Sequence, residues 1–242
     1  GELISIMPSP AKCLPRQTAS LSMAAVLWLV LLCLAGCGRR EKPGAKPVVV
    51  AAAPIEFGCL KPRPIGEPAE GRPWITDLTI ADLDKDGLLD VIFCEGNRNE
   101  VRWLRQSPVG HYEERLIGQP VQGPAHVEAV DLDGDGDMDL LVASLGVVFP
   151  NDQRIGSVVA LEQTSPGVFQ NRVLLDKTFR VSDVRAGDLD GDGDLDLSVA
   201  QFGYNQGAVI WMENEGGWNF SSHPLINLSG AIHAPIADLN GD

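Results

Sequence analysis

The chain lacks the short motifs that mark common catalytic sites. It has no GxSxG nucleophile elbow, no HExxH metalloprotease motif and no glycine-rich phosphate loop. It also lacks the CxxCH pattern of haem attachment and the CxxC pattern of zinc knuckles. No residue can therefore be assigned a catalytic role from a motif.

Basic residues are scarce, with 19 Lys and Arg against 33 Asp and Glu and a net charge of −14. A negative charge of this size argues against binding nucleic acid or anionic lipid through charge. The acidic residues are unevenly spread, because 16 of the 33 lie within four copies of one short pattern. The acidity therefore reflects that pattern and says little about a cationic partner.

The acidic pattern is nine residues long and occurs three times in full. We name the copies loop 1 (82–90, DLDKDGLLD), loop 2 (131–139, DLDGDGDMD) and loop 3 (188–196, DLDGDGDLD). A fourth copy, loop 4 (238–242, DLNGD), stops at the end of the chain. Each full copy has Asp at positions 1, 3, 5 and 9 and Gly at position 6. Like charges at this spacing repel one another unless a cation lies among them.

The spacing predicts calcium loops rather than solvated acidic turns, since three full copies match. Alternate oxygen donors that close on a glycine turn wrap a hard divalent ion, and calcium takes about 6–8 oxygen ligands in flexible geometry. The carbonyl group of position 7 would supply a further oxygen. We expect about one Ca²⁺ per copy. The predicted ligands are Asp82, Asp84, Asp86, Leu88 and Asp90; Asp131, Asp133, Asp135, Asp137 and Asp139; Asp188, Asp190, Asp192, Asp194 and Asp196; and Asp238, Asn240 and Asp242.

The loops are not EF-hands, which need a Glu at position 12 and a helix on each side. Position 12 is Phe93, Val142 or Val199, and the flanks are strand-like. A loop closed by Asp at position 9 between two strands resembles the calcium loop of the FG-GAP/VCBS repeat. That repeat builds the propellers of integrin alpha subunits and occurs in many bacterial surface proteins. With its flanking strands, the resemblance covers roughly residues 74 to 242.

The pattern recurs at a period near 50, with starts 49, 57 and 50 residues apart. Each period contains four strand-like segments, the first before the loop and the second after it. The longer spacing comes from a connection at 145–156. The segment IHAPIA (232–237) is expected to be the first strand of a fourth repeat. Four short strands at this period predict an all-β fold, a β-propeller.

The full protein is expected to extend beyond this chain. Three full repeats do not close a ring, because propellers have about 4–8 blades. The chain begins with Gly1 and loop 4 is cut short, so we read it as incomplete. The resemblance implies seven blades in the full protein, of which residues 57–242 would form three and a part.

The N-terminal region reads as a bacterial lipoprotein leader. An apolar run of about 13 residues, 24–36, is too short to predict a membrane span and suits a signal peptide. It ends in LAGC, which looks like a lipobox and implies a lipid on Cys37 after cleavage. Residues 1–36 would then be the signal peptide and 37–56 a flexible tether to the membrane. An ordinary signal peptide and an uncleaved anchor remain open alternatives.

Two cysteines follow the tether, Cys59 and Cys94. In an oxidising compartment they could form a disulfide. Cys94, however, aligns with Ala143 and Ala200, a slot for any small buried residue. Both interpretations stay open.

Polar residues recur five positions before each loop, on the strand that usually lines a propeller channel. We name them the Asp/His set: Asp77, His126, Asp183 and His233. They would meet around the axis, either as a ligand or metal ring or as a polar channel mouth. Trp103 and Trp211 are expected to pack between blades, and the connection 145–156 is a further binding candidate.

The sequence predicts an exported, membrane-tethered, calcium-stabilised propeller that binds a protein or glycan. One alternative is a propeller enzyme, a polysaccharide lyase or hydrolase, with His126 and His233 as catalytic groups. Another is an architectural module fused to a catalytic domain outside this chain. Nucleic acid is not an expected partner.

Overall fold

The computed structural model describes residues 63–66, 68, 71–150 and 152–241. The described residues all belong to one compact unit, Cys59–Asp242. The predicted signal peptide, tether and lipidated Cys37, together with Cys59, lie outside the described residues. Among the residues that are described, no helix has the length and apolar character that a membrane crossing requires.

Regular structure in the described residues consists of twelve strands. They form three antiparallel sheets, in which each strand pairs with its neighbours in sequence. Each sheet corresponds to one repeat and is blade-like. The strands are β1 (Ile75–Ala81), β2 (Asp90–Glu95), β3 (Glu100–Gln106) and β4 (Tyr112–Ile117) in repeat 1; β5 (Pro124–Val130), β6 (Asp139–Ser144), β7 (Gly156–Ser165) and β8 (Val168–Thr178) in repeat 2; and β9 (Arg180–Gly187), β10 (Asp196–Phe202), β11 (Ala208–Asn214) and β12 (Phe220–Asn227) in repeat 3.

The all-β prediction is confirmed, and every strand expected in the three full repeats is present. IHAPIA (232–237) was expected to be a strand and is not one. The reason is the lack of a partner: in the described residues no second strand follows loop 4. An isolated strand cannot satisfy its backbone hydrogen bonds.

The core lies between the sheets, because successive side chains of a strand point to opposite faces. Strand β6 is buried on both faces. Leu140 and Val142 pack in one cluster with residues of repeat 1, and Leu141 and Ala143 pack in a second cluster with residues of repeat 3. Each sheet is therefore stabilised mainly by its neighbours.

The outer face of repeat 1 is apolar and open in the described part of the chain. Leu78 and Ile80 on β1 are 53% and 58% exposed. The residues equivalent to Leu78 in the next two repeats, Val127 and Val184, are buried. The apolar side chains on β1 are therefore typical of a face that packs against another sheet. Among the described residues, no sheet covers this face.

Candidate metal centres

Each acidic loop connects the first two strands of its sheet. The glycine at position 6 has a positive φ in all three full loops: 87° at Gly87, 95° at Gly136 and 98° at Gly193. A side chain there would be strained, and glycine adopts this conformation freely. In loops 2 and 3 the glycine turns the chain back so that carboxylates from both halves of the loop approach one another.

Three carboxylates converge in each full loop. Their oxygen atoms lie within 4.8 Å of one another, close enough to hold one ion. Loops 2 and 3 use positions 1, 3 and 9, whereas loop 1 uses positions 1, 3 and 5. The groups are Asp82, Asp84 and Asp86; Asp131, Asp133 and Asp139; and Asp188, Asp190 and Asp196.

The loops order themselves partly through their own backbone. Asp131 Oδ2 accepts a hydrogen bond from the Gly136 N–H group at 3.1 Å, and Asp188 Oδ2 accepts one from Gly193 at 3.2 Å. Asp131 Oδ1 and Asp84 Oδ1 are buried and have no hydrogen-bond partner. Because a buried carboxylate oxygen without a partner is costly, these atoms fit the donor set of a hard cation such as calcium.

The aspartate at position 9 has a second role that the motif alone did not reveal. In each full loop it is buried and accepts two backbone hydrogen bonds, one from position 2 of the loop and one from the end of the third strand. Asp139 Oδ2 accepts from Leu132 N at 3.1 Å, and Asp139 Oδ1 accepts from Gln163 N at 2.8 Å. Asp90 and Asp196 make the same pair of bonds. This residue therefore ties the loop to the second and third strands of its sheet.

Burial makes the ionised form of these carboxyl groups unfavourable. It raises the pKa of Asp139 to about 6, although hydrogen bonds from Gln163 and Leu132 oppose the shift. Burial also raises the pKa of Asp90 and of Asp133. A bound cation would favour the ionised form and relieve this cost.

An amide side chain at the end of the third strand supports each loop. Gln163 Nε2 donates to the Met138 carbonyl group at 3.1 Å, and Gln163 Oε1 accepts from Gly167 N at 2.7 Å. Gln106 and Asn214 make equivalent pairs of bonds in their repeats. Sequence reasoning missed this support, although the amide at the end of VRWLRQ, VVALEQ and VIWMEN was the available signal.

Loop 4 is described as far as Gly241. Asp238 Oδ1 accepts hydrogen bonds from the backbone N–H groups of Asn240 and Gly241, at 3.1 and 2.6 Å. Asp242 lies outside the described residues. The described part of loop 4 therefore turns at Asp238, but it holds no complete ligand group.

The Asp/His set comes together from the three full repeats and the segment before loop 4. His126 Nδ1 lies 2.7 Å from Asp77 Oδ2, and His126 Nε2 lies 3.5 Å from Asp183 Oδ1. His233 Nδ1 lies 3.5 Å from the other oxygen of Asp183. His126 is buried, whereas the His233 side chain is 71% exposed. The burial of His126 favours a packing role over acid–base catalysis on a polysaccharide.

Acidic side chains on the first strands also bind the backbone of the next repeat. Asp77 Oδ2 accepts from Val127 N at 3.0 Å, and Asp183 Oδ2 accepts from Ala234 N at 2.9 Å. Burial raises the pKa of Asp77, but hydrogen bonds from His126 and Val127 outweigh it, so the pKa is lowered. Each of these carboxylates therefore joins two successive repeats.

A groove of about 420 Å³ lies between loops 2 and 3. Its walls include Asp133, Asp194 and the aromatic ring of Trp218 from the turn between β11 and β12. The guanidinium group of Arg172 lies 5.0 Å from the centre of that ring. The groove places an aromatic face beside two acidic loops.

The other predicted binding residues are less suited to a ligand. Trp103 is buried between repeats 1 and 2, and Trp211 is partly buried against His223. In the connection 145–156, Phe149 is exposed but packs edge-to-face against Trp74, with the two ring centres 5.4 Å apart. Cys94 carries a free thiol in the described part of the chain and is fully buried, as are Ala143 and Ala200.

The blade-like sheets and their acidic loops define a module of the β-propeller type. A family model for the FG-GAP-like repeat matches residues 82–142 and 188–242. The chain is an FG-GAP repeat protein. Modules of this type often bind ligands. No curated protein matches the chain significantly.

Proposed function

We propose that this protein is a calcium-stabilised binding module, exported and anchored to a bacterial membrane, that holds a protein or glycan ligand. The observation that supports the calcium role is the convergence of three carboxylates in each full loop. Asp131 Oδ1, a buried oxygen without a hydrogen-bond partner, further supports a cation in loop 2. When bound, the cation would offset part of the negative charge of the loop and join the first two strands of the blade.

The groove between loops 2 and 3 is the proposed ligand site. Trp218 is partly buried and Arg172 lies over its ring, so the part of the indole that lines the groove is the apolar surface that a sugar or an aromatic side chain would contact. Asp133 and Asp194 belong both to the groove and to the calcium loops. Calcium would therefore shape the groove as well as stabilise the sheets.

The calcium role is tested by substitution of two predicted ligands in loop 2. Asp133→Ala combined with Asp135→Ala should abolish the calcium-dependent protection of repeat 2 from hydrogen exchange. The matched control is Asp152→Ala with Asp176→Ala, which removes two carboxylates of repeat 2 outside the loop. Unchanged protection in the loop variant would show that the ligand assignment is wrong.

The binding role is tested on a glycan array, with calcium and with chelator. We expect glycans retained by the wild-type protein in calcium to be lost in Trp218→Ala and in chelator. Tyr204→Ala removes an exposed aromatic side chain elsewhere on repeat 3 and should leave binding unchanged. Equal retention by both variants would argue against the groove.

The membrane anchor is proposed from the LAGC sequence that ends at Cys37, outside the described residues. A lipid on its sulfur would hold the protein at the periplasmic or outer face of the membrane. Cys37→Ser should release the protein into the soluble fraction of fractionated bacteria. Continued sedimentation with membranes would contradict the lipobox interpretation.

A further inference from the structure

Loop 1 differs from loops 2 and 3 in having a guanidinium group against its carboxylates. Arg105, on β3, donates through Nε to Asp84 Oδ2, and its Nη2 lies 3.1 Å from Asp86 Oδ2. Asp84 and Asp86 occupy positions 3 and 5 of the loop, both predicted calcium ligands. The guanidinium therefore uses two oxygen atoms that a cation would otherwise contact.

The equivalent position in the other two repeats is acidic. Leu104 pairs with the residue that follows loop 1, as Leu161 and Met212 do for loops 2 and 3. The next residue on each third strand is Arg105 in repeat 1, Glu162 in repeat 2 and Glu213 in repeat 3. The charge at this position is thus reversed in repeat 1.

Basic groups in repeats 2 and 3 do not replace Arg105. Arg172 Nε bonds Glu162 Oε2 at 2.6 Å, and His223 Nε2 lies 2.8 Å from Glu213 Oε2. Both basic side chains therefore pair with the third-strand glutamate and not with a loop carboxylate.

The amino-acid composition also separates loop 1 from loops 2 and 3. Loop 1 has four aspartates, with Lys85 at position 4 and Leu88 at position 7. Loops 2 and 3 each have five aspartates, with glycine at position 4. The local negative charge is thus much smaller around loop 1, and less of it remains for a divalent cation to neutralise.

The carboxylates that converge in loop 1 also differ from those that converge in loops 2 and 3. Asp86 joins the convergent group of loop 1, whereas the position-9 residue, Asp90, does not. In loops 2 and 3 the position-9 residues, Asp139 and Asp196, belong to the group. Loop 1 therefore has its carboxylates gathered around positions 3 and 5, where Arg105 lies.

We propose that Arg105 is a built-in counter-ion of loop 1, which closes this loop without calcium and makes it the weakest calcium site of the three full loops. This inference rests on the proposed calcium role. Asp84 Oδ1 still lacks a partner, so loop 1 keeps a site for a cation, but one that must bind beside a positive charge. Calcium binding at loop 1 should be weaker by about tenfold or more than at loops 2 and 3.

The test is hydrogen exchange of peptides that cover each loop, measured on the full protein at increasing calcium. It gives one calcium midpoint for each loop. In the wild-type protein we expect loop 1 to be already partly protected in chelator, and its remaining protection to have the highest calcium midpoint of the three loops. Arg105→Gln should lose that protection in chelator, and its loop 1 midpoint should fall by about tenfold, close to those of loops 2 and 3.

Two further variants separate the effect from general damage to the sheet. Arg102→Gln removes an arginine from the same strand that pairs with Glu100 and Glu114 instead of the loop, and should leave all midpoints unchanged. Arg105→Lys keeps the charge and should keep the weak site in a folded protein.

Equal midpoints at the three loops of the wild-type protein, or no change in Arg105→Gln, would overturn the inference while leaving the calcium role intact. The absence of any calcium effect at loops 2 and 3 would instead overturn the proposed calcium role, and the weak-site inference with it.

Discussion

The aspartate at position 9 accepts two backbone hydrogen bonds in the core and is also a predicted calcium ligand. Both roles need the same two oxygen atoms. Asp139 shows the cost most clearly, because burial raises its pKa to about 6 while Leu132 and Gln163 hold its orientation. Without a cation, the ionised carboxylate is poorly solvated and close to other carboxylates of loop 2.

This cost predicts a pH dependence of stability in the metal-free protein. The folded pKa of Asp139 is above its ordinary value of 3.8, so its contribution is fully present below about pH 4 and is lost as the pH rises through about 6. From pH 4 to pH 7 the free energy of unfolding should fall by about 2–3 kcal/mol through this group. Urea unfolding in the presence of chelator, monitored by tryptophan fluorescence at each pH, measures this change in the free energy of unfolding.

Asp139→Asn is the control for that measurement, since asparagine does not ionise. Its metal-free stability should lack this part of the pH dependence. An identical pH profile in the variant and the wild-type protein would show that another group is responsible. Calcium should also prevent the loss of stability at neutral pH, because the ion favours the ionised form of the Asp139 carboxylate.

Within each sheet, the amide at the end of the third strand links the acidic loop to the turn that follows that strand. Gln163 is 2% exposed, and its amide donates to the carbonyl groups of Met138 and Leu83 and accepts from the Gly167 N–H group. Removing the amide leaves two carbonyl groups and an N–H group in the interior without this partner. Such groups cost more than an ordinary hydrogen bond contributes.

Gln163→Ala should therefore lower the free energy of unfolding by about 2–3 kcal/mol, in calcium as well as in chelator. Gln170→Ala, on the neighbouring strand β8, removes an exposed amide and should change stability by less than about 0.5 kcal/mol. Denaturant melts of the two variants decide between a buried connection and a surface residue. Equal stability would contradict the proposed role of Gln163.

The strands were predictable because their alternation and the period near 50 are local properties of the sequence. The segment IHAPIA occupies the equivalent position before its loop and is not a strand, since pairing depends on a second strand that local pattern does not supply. The convergence of the Asp/His set followed from equal positions in adjacent repeats. The contact of Arg105 with loop 1 did not, because it depends on the register between β2 and β3.

Between repeats, hydrogen bonds and ion pairs orient the sheets, whereas the apolar contacts between them are not directional. Asp183 is fully buried, and its carboxylate accepts from Ala234 N and Arg185 Nε while lying near His126 and His233. Asp77 and Glu128 likewise accept a backbone N–H from the repeat that follows. These bonds fix how far each sheet is turned relative to the next.

Asp183→Ala should destabilise the protein by about 3–5 kcal/mol, because it leaves buried donors without their charged acceptor. Hydrogen exchange should rise in the segment 231–234, outside repeat 3 itself. Asp176→Ala, an exposed carboxylate on β8, is the matched control. If exchange in 231–234 stayed at the wild-type level, the carboxylate would not be what holds that segment.

The bonds between repeats in which a carboxylate accepts from the backbone all have the same polarity. Asp77 binds Val127, Glu128 binds Ala186 and Asp183 binds Ala234, so the side-chain acceptor always precedes the backbone donor. A ribosome releases the chain in that order, and domains generally fold as they emerge. Each new repeat therefore meets an acceptor on a sheet that is already available, and assembly can proceed vectorially from the first repeat during translation.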